Sequence, residues 1–108
     1  MARSVKRGEV WQYAFKRPDK KRPVLILTRD EVIGLLNTVT VAPITSTIHG
    51  APSEVLLGIE EGLKHTSAAN LDHLQTVAKA QLQSRIGRVS QAKLAEACRA
   101  ARIALGCD

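Results

Sequence analysis

Residues 38–47 read TVTVAPITST, and this stretch decides the fold class. Its first half, Thr38 to Val41, alternates threonine with valine, the period-two pattern of a strand. After Pro43 and Ile44, three hydroxyls stand in a row: Thr45, Ser46 and Thr47. A strand that ends this way has two readings. Serine and threonine at strand ends commonly close turns by bonding backbone groups. The strand can equally deliver them to an anionic ligand.

Working outward, residues 22–29 (RPVLILTR) form a continuous apolar run with proline at its head, where a strand tolerates it. Such a run reads as a central strand buried on both faces. Residues 8–15 (GEVWQYAF) alternate again and set Trp11, Tyr13 and Phe15, all the aromatics of the chain, on one face. That face could stack bases. With no other aromatic to fill a core, a core face is the preferred reading. Between these strands lies KRPDKK (16–21), a basic, proline-broken loop. Downstream, DEVIGLLN (30–37) suits one or two helical turns with Asp30 as N-cap.

HGAP (49–52) is a turn and SEVLLG (53–58) another strand. IEEGLKHTS (59–67) reads as a polar loop, AANLDHLQTV (68–77) contains a further strand, and AKAQLQSRIG (78–87) contains a short helical or turning piece. Ser90 can cap a helix running to about Leu105, with Gly106 as its stop. Leu94, Ala97, Cys98, Ala101 and Leu105 make its apolar stripe. No stretch alternates strands with long helices, which argues against a parallel sheet. The expected fold is mainly β with helices: a small antiparallel, barrel-like sheet with a C-terminal helix packed on it.

At 108 residues the chain is most simply one domain, residues 1–108, and 44% apolar content is a globular composition. No apolar run approaches the roughly 18 residues of a membrane span, and no apolar segment follows the basic N-terminus as in a secretory signal. These features point to the cytoplasm. Cys98 and Cys107 have no CxxC spacing and no neighbouring histidine, so no zinc site is expected. The net charge is +6, and it is concentrated: residues 1–29 carry nine basic side chains against Glu9 and Asp19. A basic patch on one end of a small domain suits nucleic acid.

No phosphate-loop, metal-helix or nucleophile-elbow motif is present. What remains are polar residues at strand ends: Arg22, then Thr45, Ser46 and Thr47, then Asp72 and His73. An arginine beside hydroxyl donors is a good clamp for a phosphate. His73 next to Asp72 has the residue types of a general acid or base. His49 lies just past the hydroxyls; His65, in a polar loop, has less to recommend it.

RGEVW, RPVLILTRD, VAPITSTIHGAPSEV, LDHLQTVAKAQL, RIGRVS and the closing helix together resemble the MazF/PemK toxins of bacterial type II toxin–antitoxin systems. The resemblance spans Arg7 to about Leu105 in the right order. It implies an SH3-like barrel, a homodimer, and a metal-independent endoribonuclease that cuts single-stranded RNA at short sequences. It also implies a cognate antitoxin whose flexible tail occupies the RNA groove. In the family, the Arg of the RP pair and the Thr of the PIT block act on the scissile phosphate; Arg22 and Thr45 occupy those positions here. Asp72 keeps a family acid, while His73 and Gln75 replace a Gln and an Arg.

The candidate reaction residues are therefore Arg22 and Thr45, with Asp72 and His73 as further candidates. Lys16, Arg17, Lys20 and Lys21 of the basic loop, with Ser46, Thr47 and His49, are candidates for holding RNA. The general base is open between Asp72, a histidine and Arg22. No cofactor or metal is expected. Two rivals remain: a gyrase-poisoning toxin of the same fold, and a plain RNA-binding module. The first acts through a tryptophan close to the C-terminus, and this chain ends IALGCD.

Overall fold

The apolar run of residues 22–29 becomes β2 (Lys21–Ile26), and it is central. In the computed structural model, which describes residues 4–15 and 21–107, β2 lies between β1 (Glu9–Ala14) and β3 (Thr38–Thr45), antiparallel to both. Because successive side chains point to opposite faces, Val24 and Ile26 enter one apolar cluster and Leu25 enters another. A strand covered on both sides needs this unbroken apolar sequence. β3 divides the same way, with Val39 and Val41 on one side and Ala42 and Ile44 on the other.

Beyond β3 come β4 (Glu54–Leu57), β5 (Ser67–Asn70), β6 (Gln75–Ala78) and β7 (Leu82–Arg88). The order across the sheet is β4-β5-β3-β2-β1-β7, with β6 also paired to β3. The fold is mainly β and antiparallel, as expected, but no pairing among the described residues joins β4 to β7, so the sheet stays open.

Two segments differ from their sequence reading. The single strand expected in AANLDHLQTV is split into β5 and β6, both against β3, by a 3₁₀ turn at Leu71–His73. Leu71 is buried there, and the Asn70 side chain accepts the Asp72 backbone N–H at 2.9 Å, which closes the turn. Residues 78–87 hold only one 3₁₀ turn, Lys79–Gln81, before β7 begins. The Ala, Lys and Gln content favoured a turn or helix; pairing with β1 across seventy residues of chain overrides it.

Trp11 is buried in the cluster of Val24, Ile26 and Val41, with Tyr13 and Phe15 packed against it. The Tyr13 and Phe15 rings meet edge-to-face at 4.8 Å between centroids. The aromatic face is thus a core face. Glu9, two residues before Trp11, is itself buried and accepts the Trp11 indole N–H, the Lys6 backbone N–H and the Arg85 Nε–H at 3.0, 2.9 and 2.9 Å. A buried carboxylate is tolerable when satisfied in this way.

The second cluster lies under α2 (Gln91–Leu105), which packs against β4 and the Leu71–His73 turn. Ser90 caps it by accepting the Lys93 backbone N–H, and Gly106, at φ +70°, ends it. The buried stripe is Ala97 and Ala100, with Leu94, Ala101 and Ala104 at its margins; Leu105 instead is 65% exposed in the last turn. Asp30 does not cap α1 (Asp30–Ile33): Arg29 holds that position, and Asp30 accepts the Arg7 backbone N–H at 2.9 Å. Among the described residues, no helix is long and apolar enough to cross a membrane.

Candidate active site

β2 and β3 set the first two groups. Their register pairs Leu25 with Ala42 and Val24 with Pro43, and Arg22 and Thr45 lie two residues beyond that last pair on each strand. Both strands stay paired past their prolines: Pro23, Arg22 and Lys21 lie opposite Gln12, Tyr13 and Ala14 of β1, and Ile44 and Thr45 lie opposite Ala69 and Ala68 of β5. Both residues are half-buried and line one open cleft of ≈ 580 Å³. Lys21 and Gln12 extend the wall on that side, and Ser46 and Thr47 extend it past the end of β3.

The Thr45 hydroxyl oxygen accepts the Thr47 backbone N–H at 3.2 Å. That bond makes the turn that strand-end hydroxyls commonly make. It also orients the hydroxyl, whose own hydrogen remains available to donate to a ligand. The two readings of the strand end are therefore compatible.

The loop beyond is held by one carboxylate. Glu54 accepts the backbone N–H groups of His49, Gly50 and Ala51, the shortest at 2.8 Å to Gly50. Desolvation pushes the Glu54 carboxyl up, but those three N–H groups and the charge of His49 outweigh it and bring it below its ordinary value.

The opposite wall comes from the loop of residues 58–66. It presents Leu63, Lys64 and His65 to the cleft, with Ser67 below and Ile86 of β7 behind. The Ser67 hydroxyl donates to the His65 carbonyl at 3.2 Å. Glu61, buried, accepts the Gly58 N–H at 2.6 Å and closes the 3₁₀ turn Ile59–Glu61. Gly62 follows at φ +92°, and a Cβ there would lie 2.6 Å from the Ile86 carbonyl oxygen. A Cβ on Gly87 would lie 2.2 Å from the Glu61 carbonyl oxygen. The loop reaches the cleft because two glycines let its backbone press onto β7.

The sequence-derived residues therefore divide. Arg22, Thr45, Ser46, Thr47 and Lys21 come together in the cleft. Lys16, Arg17 and Lys20 lie outside the described residues. Asp72, His73 and His49 do not line the cleft. Asp72 is exposed in the turn between β5 and β6 and accepts the Ser53 hydroxyl; His73 is exposed beside it, and His49 is exposed in the loop pinned by Glu54. Sequence does not single out Gln12 or Lys64, and it ranks His65 below the other histidines. The first alternates toward the strand face opposite the aromatics; the other two lay in a segment read only as a polar loop.

The cleft is cationic. Its charged linings among the described residues are Lys21, Arg22, Lys64 and, when protonated, His65, with no carboxylate. Such a surface suits a polyanion, and an arginine beside a hydroxyl has the donor types that a phosphate accepts.

Residues 6–105 match the family described as PemK-like, MazF-like toxin of type II toxin-antitoxin system. The probable endoribonuclease MazF2 of Mycobacterium tuberculosis is 38% identical over 104 residues, covering 95% of this chain and 100% of the relative. The probable endoribonuclease MazF5 of Mycobacterium tuberculosis is 39% identical over 105 residues, 94% of each chain. Among solved structures, the Mycobacterium tuberculosis toxin MazF-mt6 has a TM-score of 0.85 at 34% identity, covering 93% of this chain and 98% of that one. An endoribonuclease from a mycobacterial species, solved in complex with its cognate antitoxin, has a TM-score of 0.88 at 25% identity, covering 97% and 98%.

Proposed function

We infer that this chain, which belongs to the PemK/MazF family of type II toxin–antitoxin toxins, is an endoribonuclease that uses the cleft between β2, β3 and the 58–66 loop to cut single-stranded RNA. The observation that supports this best is the convergence of Arg22 and Thr45 from facing strand ends into one cationic cleft. The ribose 2′-OH attacks the adjacent phosphorus, and the 2′-O–P bond forms as the P–O5′ bond breaks. Charge builds on the non-bridging phosphate oxygens. Arg22 pairs with that charge, and the Thr45 hydroxyl donates to a second oxygen. A preorganised donor of this kind is worth about 2.7–4 kcal/mol in the transition state. The products are a 2′,3′-cyclic phosphate and a 5′-OH, and the nucleophile is built into the substrate, so the reaction requires no metal.

Lys21, Ser46 and Thr47 hold the neighbouring backbone, and the basic residues Lys16, Arg17 and Lys20 continue that track. His49, Asp72 and His73 are assigned no step. The functional unit is one toxin domain over residues 1–108, acting in the cytoplasm as a homodimer whose two clefts form a longer RNA groove. A cognate antitoxin covers that groove with a flexible tail and keeps the toxin silent; once it is removed, RNA cleavage stops translation and growth.

The test is a defined RNA carrying a single deoxyribose on the 5′ side of the scissile bond. It should bind and stay intact, while the all-ribose RNA is cut in the presence of EDTA. Arg22→Ala should slow cleavage by roughly 10²-fold or more. Cleavage of the deoxy substrate at the normal rate, or full activity of Arg22→Ala, overturns this assignment. Binding without any cleavage of either RNA would favour a plain RNA-binding module.

A further inference from the structure

Transesterification moves two protons: one leaves the 2′-OH and one must reach the departing 5′-oxygen. Among the described residues of the cleft, lysine and arginine hold their protons too firmly to pass one readily at neutral pH. No carboxylate among the described residues lines it, and the one described lining side chain of a type that exchanges a proton near neutrality is His65.

Its placement is built rather than incidental. His65 is exposed and lines the same cleft as Arg22 and Thr45, and its backbone carbonyl is tied by the Ser67 hydroxyl. The loop that carries it is fixed by the Glu61 bond to Gly58 and by the close approach of Gly62 and Gly87. Among the described residues, the charged groups that line the cleft with it are Lys21 and Arg22 from β2 and Lys64 from its own loop; β1 contributes neutral Gln12 and β7 contributes Ile86. A protonated imidazole can donate from either ring nitrogen.

We propose that His65 is the general acid of this reaction, giving a ring N–H proton to the 5′-oxygen as the P–O5′ bond breaks. The 2′-OH proton leaves to water, and the neutral imidazole regains its proton from water after product release, so the protein ends unchanged. The assignment rests on the endoribonuclease reading of the same cleft.

The experiment compares two substrates that differ in one atom: the ordinary RNA, and the same RNA with sulfur replacing the bridging 5′-oxygen at the scissile linkage. Thiolate leaves without protonation, so the sulfur substrate has no need of an acid. His65→Gln should lose roughly 10²-fold or more on the oxygen substrate and almost nothing on the sulfur substrate. Its affinity for the uncleavable deoxy RNA should stay within a fewfold of wild type.

In the wild-type protein alone, the ratio of sulfur to oxygen cleavage rates should climb as pH rises through the imidazole titration. In His65→Gln that ratio should be flat. An equal loss on both substrates, a flat wild-type ratio, or full activity of His65→Gln overturns the acid role while leaving the endoribonuclease reading intact. A wild-type protein that cuts neither RNA overturns both.

Discussion

Gly87→Ala should slow the enzyme although Gly87 does not itself line the cleft. Gly87 lies in β7, and a Cβ there would sit 2.2 Å from the Glu61 carbonyl oxygen and 2.9 Å from its carbonyl carbon. Carbon and oxygen ordinarily approach no closer than about 3.3 Å. The backbones must therefore separate by about 1 Å. β7 is held by its pairing with β1, including Val10 with Gly87, so the movement falls on the 58–66 loop. Gly62, already wedged against Ile86, gives that loop no way to slide closer. Overpacking of this kind costs about 1–3 kcal/mol of stability, and a displacement near 1 Å at a reacting group costs about 10²-fold in rate. Single-turnover cleavage of a fluorescent RNA measures the second, and urea unfolding the first. A lowered urea midpoint with a wild-type cleavage rate would show that the loop does not position the chemistry. An unchanged midpoint would show that the close approach itself is wrong.

Four further expectations can be checked with ordinary assays. Thr45→Val keeps the shape and the β-branch but loses the hydroxyl and its bond to Thr47; the cleavage rate should fall about tenfold or more with the urea midpoint nearly unchanged, and an unaffected rate would remove Thr45 from the reaction. Glu9→Leu strips the acceptor from Trp11, Lys6 and Arg85, and urea unfolding should show a loss of about 2 kcal/mol or more. Because the Glu54 carboxyl is depressed on folding, its hold on the loop is present above the ordinary carboxylate range and lost as pH falls through its lowered value. Amide exchange at His49, Gly50 and Ala51 should then exceed its intrinsic pH trend on acidification, and Glu54→Gln should show fast exchange at every pH. Replacing Lys16, Arg17, Lys20 and Lys21 by alanine should flatten the salt dependence of RNA affinity by about 0.7 in logarithmic slope per lost phosphate contact; an unchanged slope would move the RNA path elsewhere.

The sequence by itself determined the elements whose signals are local. β2 was legible because a strand buried on both faces must be apolar throughout, and β3 because one-sided burial imposes alternation. α2 was legible at both ends, since Ser90 and Gly106 supply what a helix terminus lacks. Motif and order also brought Arg22 and Thr45 together as a candidate pair, and both line one cleft.

Tertiary structure decided the rest. β7 is polar at Gln83, Ser84 and Arg85 and becomes a strand through its long-range pairing with β1. The turn at Leu71–His73 forms because Leu71 is drawn into the core, and it leaves Asp72 and His73 away from the cleft. His65 is the clearest case. Nothing adjacent to it in sequence marks it. It reaches the cleft because Gly62 and Gly87, twenty-five residues apart, allow two backbones to touch. Steric permission between distant segments has no local pattern, so only the folded chain reveals it.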